Sequence, residues 1–153
     1  MDKQKLILCA CDLSQSSDRA VALAAELAQA FGAQVELLHV NVLRLEAPPF
    51  GLISGTPAYR THELAEARER LELQRVRLAE SGVQATVNVV EAADAATAIV
   101  ERARGAGAML LAIGTHGRSG FRHLVMGSTA ERVVRTAEVP VLVARELGRS
   151  ASG

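Results

Sequence analysis

The stretch that decides the fold is LILCACDLSQSSDRAVALAAELAQAFGAQVELLHV, residues 6–40. It begins with a short apolar run, Leu6 to Ala10, which has the length and composition of a buried strand. From Ser14 the apolar positions follow helical spacing, and Gly32 ends that helix because glycine adopts the left-handed conformation of helix ends. The next apolar run covers Val35 to Val42. A strand, an amphipathic helix and a second strand predict two parallel strands joined by a helical crossover.

The same alternation continues to the end of the chain. The remaining predicted elements are a helix over Tyr59 to Ser81, a strand over Thr86 to Val90, a helix capped by Asp94, a strand over Ala108 to Ile113, a helix from about Thr129 to Thr136 and a strand over Pro140 to Ala144. This order predicts a single α/β domain, residues 1–145, with a parallel sheet. Residues 146–153 are small and polar and are expected to form a flexible tail. The connection from Leu45 to Ala58 is unusually long, and such loops are often functional.

Composition narrows the class of partner. The chain has 17 basic and 17 acidic side chains, so no net charge draws it to nucleic acid or to an anionic membrane. No apolar run approaches the roughly 20 residues of a membrane span, and the first residues do not resemble a signal peptide. We therefore predict a cytoplasmic protein. Glu66 and Arg70, four residues apart on the charged helix, are expected to form a weak surface ion pair.

The two cysteines, Cys9 and Cys11, lie at the end of the first strand. We expect them to be reduced thiols on opposite faces of that strand, so that no disulfide joins them. Cys11 is the one expected nearer the surface, at the rim of any site there. Redox sensing is therefore a weak alternative function, since no basic residue adjoins either thiol to lower its pKa.

A second informative stretch is GTHGRSGFRHLVMGST, residues 114–129. Gly114 and Gly117 leave the fourth predicted strand, where glycine lets backbone N–H groups converge on an anion. Gly127 precedes the last helix, whose first turn and dipole favour negative charge. Arg118 and the hydroxyls of Ser128 and Thr129 add further donors, so this stretch could hold a phosphate.

An ordinary structural role is also open for these residues. Ser128 with Glu131 fits the capping box of a helix, in which case Gly127 would be only a turn. Asp12, at the tip of the first strand, could accept hydrogen bonds from a ribose or an adenine, or could cap the first helix together with Ser14. The chain contains neither a GxxxxGK[ST] phosphate loop nor a GxGxxG at its first helix, so the common nucleotide motifs are excluded.

The spacing G-x2-G-x9-G-[ST], formed by Gly114, Gly117, Gly127 and Ser128, resembles the signature of the nucleotide-binding branch of the universal stress protein family. The stretches ILCACDLSQSSDRAVALA, VELLHV and GSTAERVVRTAEVPVLVAR are similar to other parts of that family. The resemblance implies a doubly wound domain with a five-stranded parallel sheet in the order 3-2-1-4-5 and four helices, the fold of adenine-nucleotide alpha-hydrolase-like (HUP-type) proteins. It departs from the family at Ala10, where proline is common.

The resemblance also implies a ligand and a set of contacts. The ligand is ATP, or ADP or AMP in its place, with Mg²⁺ accompanying the phosphates. Its adenosine would meet Asp12 and Val40, with Ile113 and Gly114 as the floor of the pocket. The phosphates would meet the glycine loop. The full set of predicted binding residues is Ala10, Asp12, Val40, Ile113, Gly114, Gly117, Arg118, Gly127, Ser128 and Thr129.

The resemblance finally implies a homodimer, paired through the apolar segment Val139 to Ala144. A stress-response regulator that changes conformation with its bound nucleotide is the favoured function. Hydrolysis or autophosphorylation would at most be slow, because the candidate groups, Asp12 for a metal and His116 or His123 as a base, are weakly placed. The alternative is a nucleotide-independent dimerisation or chaperone-like module of the same fold.

Overall fold

The computed structural model describes residues 4–43, 56–116 and 126–146. Its elements in chain order are β1 (Leu6–Ala10), α1 (Gln15–Phe31), β2 (Gln34–Val42), α2 (Pro57–Glu80), β3 (Ala85–Ala92), α3 (Ala95–Ala106), β4 (Leu110–Gly114), α4 (Ser128–Thr136) and β5 (Val141–Ala144). Five strands alternate with four helices, as the sequence predicts. No helix within these ranges combines the length and the apolar character that crossing a bilayer requires.

The strands form one parallel sheet in the order β3-β2-β1-β4-β5. This confirms the doubly wound α/β fold. Strand β1 lies at the centre, with Ala10 paired to Leu38 of β2 and to Ile113 of β4. From β1 the chain adds β2 and β3 on one side of the sheet and then returns to add β4 and β5 on the other side. The boundary between β1 and β4 is the switch point, the place where ligands bind in open parallel sheets.

Each face of the sheet carries its own apolar core. One core packs α1 and α2 against the sheet and includes Ala20, Leu71 and Leu78. The other packs α3 and α4 against the opposite face and includes Ile99 and Val133. Covering both faces explains why β1, β4 and β5 are continuously apolar instead of alternating with polar residues.

The ends of the helices follow local signals in the sequence. Helix α1 begins after Ser14, whose side chain accepts a hydrogen bond from the Ser17 amide, and ends at Gly32, where φ is 61°. Asp94 caps α3 as predicted. Helix α2 begins at Pro57 with Thr56 as its N-cap, two residues before the predicted start, so Pro57 and Ala58 do not belong to the long connection. Residues 44–55 lie outside the described ranges.

The expectation for the cysteines was wrong in two respects. Residues two apart along a strand point to the same face, and Cys9 and Cys11 both lie in the core beneath α1. Cys11 is only 4% exposed, so it does not reach the surface. Both are free thiols. The neighbouring Cys11 thiol and burial raise the pKa of the Cys9 thiol well above its ordinary value, which opposes formation of a reactive thiolate.

One ion pair is built into the core beside α3. Glu36 of β2 is 5% exposed, and both of its carboxylate oxygens accept hydrogen bonds of 2.7 Å from Arg102. The Asn88 amide donates a third, at 3.1 Å. Burial on its own would raise the pKa of Glu36, but the bonds from Arg102 and Asn88 outweigh it and lower that pKa. The pair therefore stabilises the fold in the charged form of Glu36.

The carboxyl end of β4 meets the first turn of α1 at very short range. A Cβ atom added to Gly114 would lie 2.5 Å from Ser16 Oγ and 2.8 Å from the backbone C and O of Ser16. A backbone atom cannot swing away as the end of a flexible side chain can. Gly114 is therefore required by steric contact, independently of any ligand.

We predict that Arg102→Met costs about 1–3 kcal/mol of unfolding free energy near neutral pH, because it leaves a buried carboxylate without its charged donors. Glu36 has a lowered pKa in the folded state, so its contribution is present above the unfolded value near 4.5 and is lost as the pH falls through the lower folded value. Urea unfolding of the wild type and of Arg102→Met at several pH values measures this cost and its dependence on pH. A cost that stays constant down to acid pH would contradict this assignment.

The control for that measurement is Arg104→Met on the same helix. Arg104 lies 3.8 Å from Glu138, and both side chains are more than 60% exposed. Removal of this pair should cost less than about 0.5 kcal/mol of unfolding free energy, and that cost should depend little on pH.

We also predict opposite effects for two glycine-to-alanine changes. Gly114→Ala should destabilise the fold by about 1–3 kcal/mol, since the methyl group must push the first turn of α1 away. Gly105→Ala should stabilise it by about 0.5–1 kcal/mol, because the added methyl meets nothing within 4 Å and alanine favours the helix. Thermal or urea unfolding checks both variants. If the two variants changed the unfolding free energy equally, the first turn of α1 would have to move aside for the methyl group at no energetic cost.

Candidate functional site

The candidate site lies at the switch point, beyond the carboxyl ends of β1 and β4. Its first wall is the turn between β1 and α1. Asp12 Oδ1 accepts hydrogen bonds from both the amide and the hydroxyl of Ser14. Ser14 in turn caps α1. The sequence left a ligand contact and a capping role open for Asp12, and the structure shows its part in the cap: Ser14 caps α1, and Asp12 accepts two hydrogen bonds from Ser14.

The second wall is the segment that leaves β4. Thr115 is 4% exposed, and its Oγ1 lies 3.5 Å from Oγ of Ser16, which is fully buried. The amide of His116 donates to Ser16 Oγ at 3.3 Å. The Ser14 hydroxyl also lies 3.5 Å from the His116 carbonyl. These hydroxyl contacts join the end of β4 to the start of α1 directly below the switch point.

The third wall is the start of α4. The amide of Gly127 donates to the Thr115 carbonyl, which ties the beginning of α4 to the end of β4. The predicted capping box at Ser128 was wrong: Gly127 is the N-cap, without a side-chain hydrogen bond, and Ser128 is the first residue of the helix. The Glu131 amide donates to the carbonyl of Gly127, as an ordinary helical bond one turn in.

An apolar surface adjoins these polar walls. Ala10, Ile113 and Val40 belong to the same apolar cluster on the α3 and α4 face of the sheet. Ala10 and Ile113 are each 6% exposed and pair with one another across β1 and β4. Val40 is half-buried and extends beyond them on β2. Met126, which the sequence analysis did not single out, packs against the same cluster immediately before Gly127.

The structure therefore brings together most of the predicted binding residues. Asp12 contacts Ser14, Ser14 approaches His116, and Thr115 beside it bonds to Gly127. Thr129 is half-buried and Ser128 is exposed at the start of α4. The predicted residues Gly117 and Arg118, and the candidate base His123, lie outside the described ranges. Sequence reasoning missed three residues at the site: Ser16, Thr115, which follows Gly114, and Met126, which precedes Gly127.

A further ion pair holds α4 against α3. Asp94 accepts hydrogen bonds from the Thr97 amide and hydroxyl through Oδ2, and from Arg132 through Oδ1. The bonds from Arg132 and from Thr97 hold the pKa of Asp94 far below its usual range. The start of α4 is thus fixed to the loop after β3 as well as to β4.

The chemistry of this arrangement favours the binding of a ligand at the switch point. The first amides of a helix have no partner within the helix, and two helices, α1 and α4, begin beside the switch point. In the parts of the chain that the structure describes, no three acidic, histidine or cysteine side chains are grouped so as to hold a metal ion.

The chain matches known proteins over almost its whole length. It is 32% identical over 148 residues to a universal stress protein of Methanocaldococcus jannaschii, covering 93% of this chain and 82% of the relative. It is 33% identical over 150 residues to the universal stress protein A homolog 2 of Coxiella burnetii, covering 97% and 99%.

Solved structures share the fold. The universal stress protein UspA of Lactobacillus plantarum superposes with a TM-score of 0.81 at 20% identity, covering 95% of this chain and all of that one. A universal stress protein of Archaeoglobus fulgidus in complex with dAMP gives a TM-score of 0.67 at 21% identity, covering 94% and 99%. A universal stress protein in complex with cAMP gives 0.62 at 23% identity, covering 92% and 95%.

The five-stranded sheet and its order agree with the fold of these solved structures. The model of the universal stress protein family matches residues 4–145. The chain belongs to the universal stress protein family.

Proposed function

We propose that this chain binds an adenine nucleotide at the switch point between β1 and β4. The observation that carries the proposal is the convergence of Asp12, Gly114 and Gly127, which are linked through hydrogen bonds and packing between the turn after β1, the end of β4 and the start of α4. A carboxylate on one side and helix amides on the other suit a ligand with hydroxyl donors at one end and an anion at the other.

The ligand would be oriented by the chemistry of the three walls. Its base would pack on the apolar surface of Val40, Ala10 and Ile113. Its ribose would donate to Asp12, and its phosphates would lie at Gly127, Ser128 and Thr129, with Gly117 and Arg118 completing the loop. Two related structures were solved with dAMP and with cAMP, which supports an adenine nucleotide as the class of ligand.

Within that class we propose ATP, with ADP and AMP as weaker ligands. A triphosphate offers the most oxygens to the amides of α4. Mg²⁺ would be held mainly by the phosphates, with the carboxylate of Asp12 as a further ligand, since this cation commonly combines one or two carboxylates with substrate phosphates.

The proposed role is regulatory, with at most slow hydrolysis. Binding of the phosphates at Gly127 would favour one conformation of the protein over another, so that the nucleotide changes the surface offered to partners. The protein would act in the cytoplasm as a homodimer.

The proposed dimer contact is the open edge of β5. In the described part of the chain β5 pairs with β4 alone, and it is apolar throughout. Such an edge tends to pair with another chain. The carbonyls of Pro140 and Ala144 point toward β4, so the backbone groups of Val141 and Val143 point to the open edge.

We predict that the purified protein retains or binds an adenine nucleotide and that Gly127→Glu loses it. The backbone of Gly127 has φ −70° and ψ 163°, which residues other than glycine adopt without strain, and circular dichroism of the variant checks that its fold persists. A carboxylate about 4 Å from a phosphate costs between about 1 and 4 kcal/mol, which weakens ATP binding by about fivefold or more. Anion exchange of the denatured protein's supernatant and calorimetric titration with MgATP measure the two effects.

Two variants serve as controls for that experiment. Gly127→Gln keeps the size of the new side chain without its charge and should bind more tightly than Gly127→Glu. Gly105→Glu adds the same charge in open space on α3 and should bind as the wild type does. If wild-type protein neither carries nor binds a nucleotide, the dimerisation-module alternative becomes the better account.

We further predict that Val143→Pro converts the dimer to a monomer, because proline removes an edge amide while the bonds to β4 remain. Val89→Pro is the matched control on β3, the opposite edge strand, where odd-numbered residues also point outward. Sedimentation velocity of both variants distinguishes loss of pairing from loss of fold. A Val143→Pro protein that is folded and still dimeric would exclude β5 as the contact.

A further inference from the structure

Arg70 makes an unexpected contact across the domain. Instead of the surface pair with Glu66 that its spacing predicts, its Nη2 donates a 3.1 Å hydrogen bond to the carbonyl of Leu13. The two residues are 57 positions apart in the sequence. The guanidinium of α2 thereby reaches the turn between β1 and α1, which forms the first wall of the candidate site.

Leu13 is the residue of that turn under strain. Its φ is 69°, and within the described ranges it is the one residue other than glycine with a positive φ. The left-handed conformation brings Cβ close to the following carbonyl oxygen, so a branched side chain adopts it only when its surroundings require it. Leu13 lies between Asp12, which faces the proposed ligand, and Ser14, which caps α1.

The contacts that hold Leu13 come from two sides. Its side chain packs against the core beneath α1. Its carbonyl is held by Arg70, and one helical turn further along α2 the Gln74 amide donates a 2.7 Å bond to Asp18 in the first turn of α1. Helix α2 thus binds the turn and the helix that follows it at two successive points.

We propose that Arg70 is a positioning residue: its bond to the Leu13 carbonyl holds the left-handed turn and so fixes the direction in which Asp12 faces the bound molecule. The effect on nucleotide affinity rests on the function proposed above. The effect on the turn does not, and it can be measured without any ligand.

The first measurement is amide hydrogen exchange by NMR on ligand-free protein. The Ser14 amide bonds to Asp12, and the Ser17 amide bonds to Ser14, so both report on the turn. In Arg70→Met, which keeps an apolar stem but removes the donor, both amides should exchange about fivefold to tenfold faster, as expected for loss of one charged hydrogen bond at an exposed position. The amide of Leu37, in the core of β2, should be unchanged.

Two variants make the result specific. Arg68→Met changes an exposed arginine on the same helix that makes no hydrogen bond or ion pair to residues in the described ranges, and its exchange should match the wild type. Arg70→Lys keeps a donor and should recover part of the protection. Unchanged exchange in Arg70→Met, or an equal loss in the lysine and methionine variants, would overturn the inference.

The second measurement is titration with MgATP. Arg70→Met should weaken MgATP binding by about fivefold to tenfold, while the midpoint of global unfolding moves little. The affinity of Arg70→Lys should lie between those of Arg70→Met and the wild type. Wild-type affinity in Arg70→Met would refute the positioning role and leave the nucleotide-binding proposal standing. A wild-type protein that binds no nucleotide would refute the proposed function, while the exchange data would still decide whether Arg70 holds the turn.

Discussion

The rest of the site depends on one steric contact, the approach of Gly114 to the backbone of Ser16. Their separation leaves no room for a Cβ atom, so the first turn of α1 lies directly on the end of β4. At that range the buried hydroxyls of Ser16 and Thr115 become each other's neighbours. The carbonyl of Thr115 then receives the amide of Gly127, which sets where α4 begins. Both helices that start at the switch point are thus placed relative to the same glycine.

Much of the fold could be predicted because local and long-range requirements agree. The strand Leu6–Ala10 was predicted to the residue, since an apolar run of that length has no other stable place than the centre of a sheet. Ser14 and Gly32 bound α1 for reasons that act within a few residues. The start of α2 was predicted two residues late, although threonine followed by proline is a common way to begin a helix.

Features that depend on distant parts of the chain could not be derived in this way. Arg70 has a suitable acidic partner one turn away, yet it bonds to a carbonyl that only the tertiary fold brings near. The roles of Ser16 and Thr115 arise from a contact 99 residues apart, so neither hydroxyl stands out in the sequence. Asp12, Gly114 and Gly127 were each singled out by their places at the ends of predicted elements, and the family resemblance then linked them into one site. The same-face placement of the two cysteines was available from strand geometry alone and was missed.

The carboxylate of Asp94 serves two helices at once. One oxygen caps α3 and the other accepts a hydrogen bond from Arg132 of α4. Serine or threonine could replace the cap, but a single hydroxyl oxygen provides no second acceptor for the guanidinium. Asparagine could cap the helix with its one oxygen, but its amide group, which donates hydrogen bonds, would then face the guanidinium, which also donates. Among the residues that cap helices well, aspartate alone offers an acceptor to each partner, so a substitution that preserves the cap of α3 would still break the contact with α4.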